Sequence, residues 1–166
     1  MEFFNNPYVS SGDEWARKGM SMIRPIEVVP DQVPYRFYGT DKARSLADGA
    51  NGGWWFEYEH FQTIKHFALR NGYPISHAAR LFAAILFEFN EVDAWVSCEI
   101  TQPLRAWKGR GKQIESSGKD ARDPPKGEKV TPMQSVLEVY QIFLPGVGGP
   151  DSIASSVLKV KDSGAL

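Results

Sequence analysis

Two polar residues interrupt stretches of chain that are otherwise typical of buried β-strands. Arg36 lies between Tyr35 and Phe37, and an arginine is seldom buried without a partner because its planar guanidinium keeps its charge. Gln141 falls on the apolar face of the run from 136 to 145. A buried amide without a hydrogen bond costs about 1–3 kcal/mol. Each residue therefore needs a partner in the core or a ligand. The apolar neighbours of Gln141 on its face are Leu137, Val139 and Phe143.

The most basic stretch of the chain runs from Arg105 to Lys112. It holds four positive charges, no acid and one tryptophan, which is the composition of a loop that contacts phosphates. Its interleaved glycines would let the backbone approach a ligand closely. A solvated hairpin turn in a protein of balanced charge explains the same residues, so both interpretations stay open.

Metal and thiol chemistry find little support in the sequence. Glu57 and His60 have the i, i+3 spacing of half a di-metal carboxylate site, but that architecture needs a second copy, and His66 and His77 supply none. Cys98 is the only cysteine, and strand alternation places it on an apolar face, where a buried thiol is inert. We therefore expect no metal, no disulfide and no cysteine nucleophile.

Periodicity predicts the elements that must position these residues. Apolar side chains at helical spacing predict two helices, over 59–70 and 76–90. Alternation and aromatic content predict strands before and after them. Strands, then two helices, then strands form an α+β order rather than the alternation of a parallel sheet. The predicted strands are 26–29, 35–38, 53–58, 94–102, 104–107 and 136–145.

The predicted organisation is one domain with two flanking segments. Residues 1–33 contain three prolines and are expected to form an irregular N-terminal extension. Residues 34–150 form the predicted domain, and 115–132 within it reads as a long mobile loop because it has almost no apolar side chains. Residues 151–166 read as a polar C-terminal tail.

Composition limits the class of protein. A chain of 166 residues buries roughly 70% of its unfolded surface, enough for a core without disulfides. With 19 Lys plus Arg against 20 Asp plus Glu, it lacks the basic excess of a general nucleic-acid or membrane-surface binder. Residues 1–10 lack the pattern of a signal peptide, and the longest apolar run is far below the ~20 residues of a membrane span. We expect cytoplasmic synthesis, with any export following a route that needs no signal peptide.

The order of the polar residues resembles the ADP-ribosyltransferase-like toxin superfamily. That family has an arginine on the first core strand, an aromatic or hydroxyl residue on the second element, and a Glu or Gln on a late strand. Here these are Arg36, then Trp54, Trp55 or Tyr58, then Gln141. The segment YQIFLPG is similar to the family's last-motif strand, and LRAWKGRGKQ is similar to the strand before it in bacterial effectors.

The resemblance implies two small antiparallel sheets that form an NAD cleft, with two helices between the early and late strands. It implies that NAD is the substrate and that its nicotinamide–ribose bond breaks through an oxocarbenium-like transition state. Arg36 would clamp the pyrophosphate, and Gln141 would bond a ribose hydroxyl or orient the attacking water. The aromatic residues that would bind the dinucleotide are Tyr35, Trp54, Trp55 and Tyr58.

One departure from the family separates hydrolysis from transfer. Transferases to protein side chains carry a glutamate at the last motif, whereas a glutamine such as Gln141 resembles the NAD-glycohydrolase toxins of the superfamily. Glu138 does not replace the missing glutamate, because strand alternation places it on the other face. The family also implies an immunity protein or antitoxin, and a transferase would need a macromolecular acceptor. Two alternatives stay open. One is a nucleic-acid-targeting toxin that uses the 105–112 stretch with a histidine as acid or base, and the other is a non-catalytic interaction module.

Overall fold

The computed structural model describes residues 2–133 and 138–166, and these form an α+β fold. A 3-10 turn (Asn6–Tyr8) leads into the first helix. The helices are α1 (Val9–Gly19), α2 (Leu46–Ala50), α3 (Tyr58–Asn71), α4 (Ile75–Ala83) and α5 (Ala154–Val157). The strands are β1 (Met20–Val28), β2 (Tyr35–Tyr38), β3 (Trp54–Trp55), β4 (Ala94–Ile100), β5 (Leu104–Gly111), β6 (Ile114–Glu115), β7 (Lys129–Val130), β8 (Tyr140–Phe143) and β9 (Leu158–Ala165).

Two small antiparallel sheets carry the fold. The first has four strands in the order β1-β5-β8-β3, and the second has three in the order β2-β4-β9. Backbone hydrogen bonds between Tyr35 and Phe56 join β2 to the chain that follows β3, so the two sheets meet there. The expected α+β class with small antiparallel sheets is thus confirmed, and α3 and α4 lie between the early and late strands of the chain.

The N-terminal segment departs from the expectation of an irregular extension. Residues 20–28 form β1, which pairs with β5 from Met20↔Gly111 to Val28↔Leu104. A boundary at residue 33 would therefore cut a strand from its own sheet. The predicted strand 26–29 overlaps the end of β1, but β1 begins at Met20, before Pro25. Pro25 is accommodated because β1 is an edge strand, where a missing N–H need not break the ladder.

The C-terminal segment is likewise part of a sheet. Residues 158–165 form β9, which pairs with β4 along its length, from Ala94↔Ala165 to Ile100↔Leu158. Its side chains are polar because β9 is the outer strand of its sheet, and lysines such as Lys159 and Lys161 are common on edge strands. The polar composition of residues 158–165 is therefore that of an edge strand and not of an unstructured tail.

The connection expected to be a mobile loop has defined contacts. Its ends pair as β6 and β7, through Ile114↔Val130 and Glu115↔Lys129. Between them, Ser116 Oγ donates to the carbonyl of Pro124 at 2.6 Å. The connection is long, but its own hydrogen bonds shape it.

Two predicted elements are shorter in the structure. The second helix ends at Ala83 rather than at 90, because Ala84 adopts a left-handed conformation with φ 51°. Arg80 then donates to the carbonyls of Ile85 and Asn90, which holds the segment after the helix in a non-helical path. The late strand covers Tyr140–Phe143 of the predicted 136–145, while residues 134–137, including Leu137, lie outside the described residues.

The core lies in two main clusters, and the first contains side chains from both sheets. The first contains the fully buried Trp55, Val96, Leu104 and Val157, and the second contains Phe61, Ile64 and Phe82 from α3 and α4. In the described part of the chain, no helix is long and apolar enough to cross a membrane.

Candidate functional site

A cleft of about 390 Å³ opens where the two sheets meet. Both sheets contribute to it, since Arg36 belongs to β2 whereas Trp54 and Gln141 belong to β3 and β8. Helix α1 and the segment after α4 form its sides. The lining residues are Trp15, Lys18, Gly19, Arg36, Phe37, Trp54, Phe56, Ala83, Ala84, Ile85, Phe89, Asn90, Lys112, Ile114 and Gln141.

Arg36 bonds backbone carbonyls of the fold and also lines the cleft. Its Nε donates to the carbonyl of Gly49 and its Nη1 to the carbonyl of Trp54, each at 3.0 Å. A guanidinium has five N–H donors, so three remain after these two bonds. Burial lowers the pKa of Arg36 to about 10, which leaves it cationic at neutral pH. Gly52 lies against it, because a Cβ at that position would come within 2.1 Å of Nη2. The arginine is thus a braced positive charge at the cleft wall.

Gln141 is a buried amide at the back of the cleft. Only 5% of the residue is exposed, and its Nε2 has no hydrogen-bond partner among the described residues. Its strand neighbour is Gly109, and a Cβ at Gly111 would lie 3.0 Å from Nε2, so glycines leave space around the amide. An unpaired buried amide costs about 1–3 kcal/mol and needs an explanation. Trp107 Nε1 and Arg110 Nε are also buried without a partner, but of the three residues only Gln141 lines the cleft.

Trp54 is a half-buried aromatic wall of the cleft. Its ring lies 4.8 Å from that of Phe143, and a Cβ at Gly19 would come within 2.4 Å of the indole. Gly19 therefore lets the indole pack against the end of α1. This contact fixes the ring position through two elements that are far apart in sequence.

The other three predicted aromatic binding residues lie outside this cleft. Trp55 is fully buried in the core and donates to the carbonyl of Gly52, because alternation along β3 points it away from Trp54. Tyr35 stacks on Phe61 at 4.6 Å between ring centroids. Tyr58 is 52% exposed and lines a different hollow beside Lys108. The structure therefore brings together Arg36, Trp54 and Gln141, but not Tyr35, Trp55 and Tyr58.

The charge of the cleft has one sign. Lys18, Arg36 and Lys112 line it, and none of its lining residues within the described chain carries a carboxylate. Lys112 Nζ also donates to the carbonyl of Arg17 at 3.3 Å, which holds it at the side formed by α1. The arrangement suits an anionic ligand that also presents flat, apolar surface to the aromatic walls.

The strand predicted over 104–107 is confirmed and continues to Gly111, so most of the basic stretch from 105 to 112 is a strand and not the phosphate-contacting loop or hairpin turn that its composition suggested. The stretch forms most of β5 in the middle of its sheet. Lys108 is paired with Glu57, and Arg110 Nη2 lies 2.6 Å from Glu138 Oε1. Arg105 lies over the ring of Phe3. Of its four cations, only Lys112 lines the cleft, which weakens the case for a phosphate-tracking surface.

The remaining candidates for chemistry are structural or remote. Cys98 is buried, and burial raises the pKa of its thiol to about 11, which disfavours the thiolate. His60 Nδ1 faces the backbone N–H of Tyr140 at 3.4 Å. Among the described residues, no three His, Cys, Asp or Glu side chains are grouped so that they could hold a metal ion.

Sequence reasoning missed the sides of the cleft. Trp15 and Lys18 come from α1, in the N-terminal segment to which the prediction gave no part in the site. Ala84, Ile85 and Phe89 were assigned to a helix that ends before them. The exposure that marks Phe89 and Trp15, 43% and 58%, is known only from the structure, so no signal in the sequence identified them.

Comparison with known proteins gives information on the fold of the chain. No protein-family model matches the chain, and no curated protein matches it. Among solved structures, one similar chain is that of Rhs1-CT in complex with its cognate immunity protein RhsI1. The TM-score is 0.50 with 13% identity over 96% of each chain. Tne2 in complex with Tni2 gives a TM-score of 0.49 with 18% identity, over 87% of this chain and 92% of that one. At such identity the likeness to Rhs1-CT concerns the fold.

Proposed function

We propose that this protein is a bacterial toxin that consumes NAD by cleaving the nicotinamide–ribose bond. The observation that carries the proposal is the unpaired amide of Gln141, buried at the back of a cationic, aromatic-walled cleft that also contains Arg36. A dinucleotide has the matching chemistry, with two phosphates for the cations, flat rings for the aromatics and ribose hydroxyls for the amide.

The proposed reaction is hydrolysis of one C–N bond. The bond from ribose C1 to the nicotinamide nitrogen breaks, and its electron pair neutralises the positive charge of the pyridinium ring. Water adds to C1 and loses a proton to solvent, giving ADP-ribose, nicotinamide and H⁺. Because the leaving group departs as a neutral molecule, no general acid is needed. A cleft without a carboxylate among its lining residues can therefore support this reaction.

Each cleft residue has a role in that reaction. The free donors of Arg36 would hold the pyrophosphate, while its bonds to Gly49 and Trp54 keep the guanidinium in place. The Trp54 indole would pack against the nicotinamide and keep water from its far side. The Gln141 Nε2 would donate to a ribose hydroxyl oxygen and hold the sugar in place, and its Oε1 would accept from a hydroxyl proton, a bond that strengthens as positive charge develops on the sugar.

Hydrolysis is favoured over transfer to a protein side chain. Such transfer needs a base to activate the acceptor, and the nearest glutamate in sequence, Glu138, is occupied with Arg110 and has a 68% exposed side chain. Transfer to a macromolecule is the alternative outcome. Free ADP-ribose as the sole product would select the hydrolase, whereas label on a macromolecule would select the transferase.

The toxin assignment also draws on the fold. Rhs1-CT is bound to a cognate immunity protein in its structure, and a protein that needs such a partner harms the cell that makes it. We infer that this chain has an immunity partner as well. Co-expression with that partner should relieve growth inhibition in its producer.

The test is nicotinamide release from NAD by purified protein, followed by chromatography with and without cell extract. Arg36→Ala and Gln141→Leu should each lower turnover by at least about 100-fold, the usual effect of losing a group that stabilises a transition state. Arg70→Ala removes a surface arginine at the end of α3 and is the matched control. Absence of nicotinamide release by the wild type would overturn the proposal, and degradation of added RNA or DNA would support a nucleic-acid-targeting toxin instead.

A further inference from the structure

We infer that Trp15 on α1 is the adenine-stacking platform of the cleft, with Lys18 beside it as a contact for the adjacent phosphate. This rests on the proposed function, because it assigns the second half of the dinucleotide to a wall of the same cleft. Neither residue belongs to the ordered set that the sequence predicts.

Trp15 has the exposure of a binding residue. It lies on α1 beside the buried positions Gly12 and Ala16, at the edge of the face that holds the helix to the protein. It is 58% exposed, an unusual state for a tryptophan, yet it lines the cleft. A large exposed indole at a cleft wall offers flat apolar area that folding does not use.

The surroundings of Trp15 favour a nucleotide over a purely apolar ligand. The ammonium of Lys18 lies over its ring, 4.8 Å from the centroid, and also 3.5 Å from the carboxylate of Glu14, so a ligand ring would stack on the opposite face of the indole. Lys112 is held to the same side by its bond to the carbonyl of Arg17. A base and its phosphate would therefore meet an aromatic face and two ammonium groups together.

Trp54 and Trp15 both lie against α1. The Trp54 indole packs on Gly19, at the C-terminal end of the helix, and Trp15 lies one turn earlier. A dinucleotide bound in a folded conformation would place its nicotinamide at Trp54 and Gln141 and its adenine at Trp15, with Arg36 and Lys18 available for the phosphates.

The test compares two substrates that share the scissile bond. NAD carries adenine, and oxidised nicotinamide mononucleotide does not. Trp15→Ala should lower kcat/KM for NAD about tenfold, mostly through KM, and leave the mononucleotide unchanged, since base–aromatic stacking has about this effect. Trp15→Phe should keep most of the NAD activity. Phe4→Ala, which removes a 46% exposed aromatic outside the cleft, should change neither substrate.

The outcomes separate this inference from the proposed function. Equal losses on both substrates in Trp15→Ala, or no loss on either while circular dichroism shows a native fold, would overturn the adenine platform and leave the proposed function standing. Failure of the wild type to release nicotinamide from either substrate would overturn both.

Discussion

Gln141 and Asn5 are both buried amides, but they differ in their hydrogen bonds. Gln141 Nε2 has no partner among the described residues, whereas Asn5 donates to the carbonyls of Arg105 and Pro145 and accepts from the N–H of Arg105. A satisfied buried amide stabilises a fold, and an unsatisfied one destabilises it. Substitution of each residue should therefore show whether its amide stabilises the fold or is kept at a cost in stability.

We predict that Gln141→Leu raises the free energy of unfolding by about 1 kcal/mol, because an apolar side chain of similar size removes the unpaired amide. The matched change Asn5→Leu should lower it by about 3 kcal/mol, since it leaves three backbone groups without partners. Urea denaturation measures both. A Gln141→Leu protein less stable than the wild type would indicate that the amide is satisfied in the fold and free of a ligand role.

His60 predicts a dependence of stability on pH. Burial, and then the nearby Lys108, lower the pKa of His60, while its Nδ1 faces the N–H of Tyr140. A histidine whose pKa is lower in the folded state binds more protons when unfolded, so acid favours unfolding. Its contribution is intact above about pH 6.5 and is lost as the pH falls below that value. We expect His60→Asn, which keeps an acceptor, to reduce the loss of stability between pH 7 and 5 in urea titrations; an unchanged loss would contradict this role.

The residues that sequence could identify are those whose type conflicts with their surroundings. Arg36 and Gln141 are polar among apolar strand residues, and both line the cleft. Trp54 and Trp55 are identical in type, so composition could not say which faces the cleft; only the direction of β3 separates them. Trp15 has no conflict with its helix, and its role depends on where α1 packs.

At the level of elements, the long connection between β6 and β7 holds a wall of the cleft. Asp123 accepts from the N–H groups of Phe87 and Glu88 at 2.8 and 2.9 Å. Arg122 donates to both carboxylate oxygens of Glu91 and lies over the ring of Phe87. A hydrogen bond from Arg122 lowers the pKa of Asp120 to about 2. These contacts attach the connection to the segment that supplies Ile85 and Phe89 to the cleft.

We predict that Arg122→Ala frees this connection and speeds its cleavage by proteinase K, which does not require Lys or Arg, several-fold, because the change removes contacts to Glu91, Asp120 and Phe87 together. KM for NAD should rise in the same variant, since the neighbouring wall loses its support. The control is Lys119→Ala, an exposed lysine on the same connection. Equal cleavage rates in the wild type and Arg122→Ala would show that Arg122 is not needed to hold the connection.

Elements with strong periodicity were predictable, and edge strands were not. The alternation of β4 and the helical spacing of α3 follow from burial on one face, so sequence marks them clearly. Strands β1 and β9 are edges that tolerate Pro25, lysines and small residues. The end of α4 depends on Arg80 bonding to distant carbonyls, which no local pattern reveals.

At the scale of the whole molecule, the terminal segments complete the two sheets whose junction forms the cleft. Strand β1 extends the sheet that contains Gln141, and β9 extends the one that contains Arg36. The near-neutral charge of the chain hides a local asymmetry, since three cations and no carboxylate line the cleft. Neither property is visible in composition, because both depend on which strands become neighbours.

The C-terminal strand should therefore be necessary for folding. Cys98 lies opposite Val160 in the pairing of β4 with β9, and burial raises the pKa of its thiol to about 11. We predict that the full chain resists a thiol reagent such as DTNB, whereas a chain ending at Val157 reacts at least about 100-fold faster, since it loses all of β9 and exposes the β4 edge. Removal of Leu166 alone is the control, because β9 ends at Ala165. A truncated chain that protects Cys98 and still releases nicotinamide would show that residues 158–166 are the dispensable tail that their composition suggests.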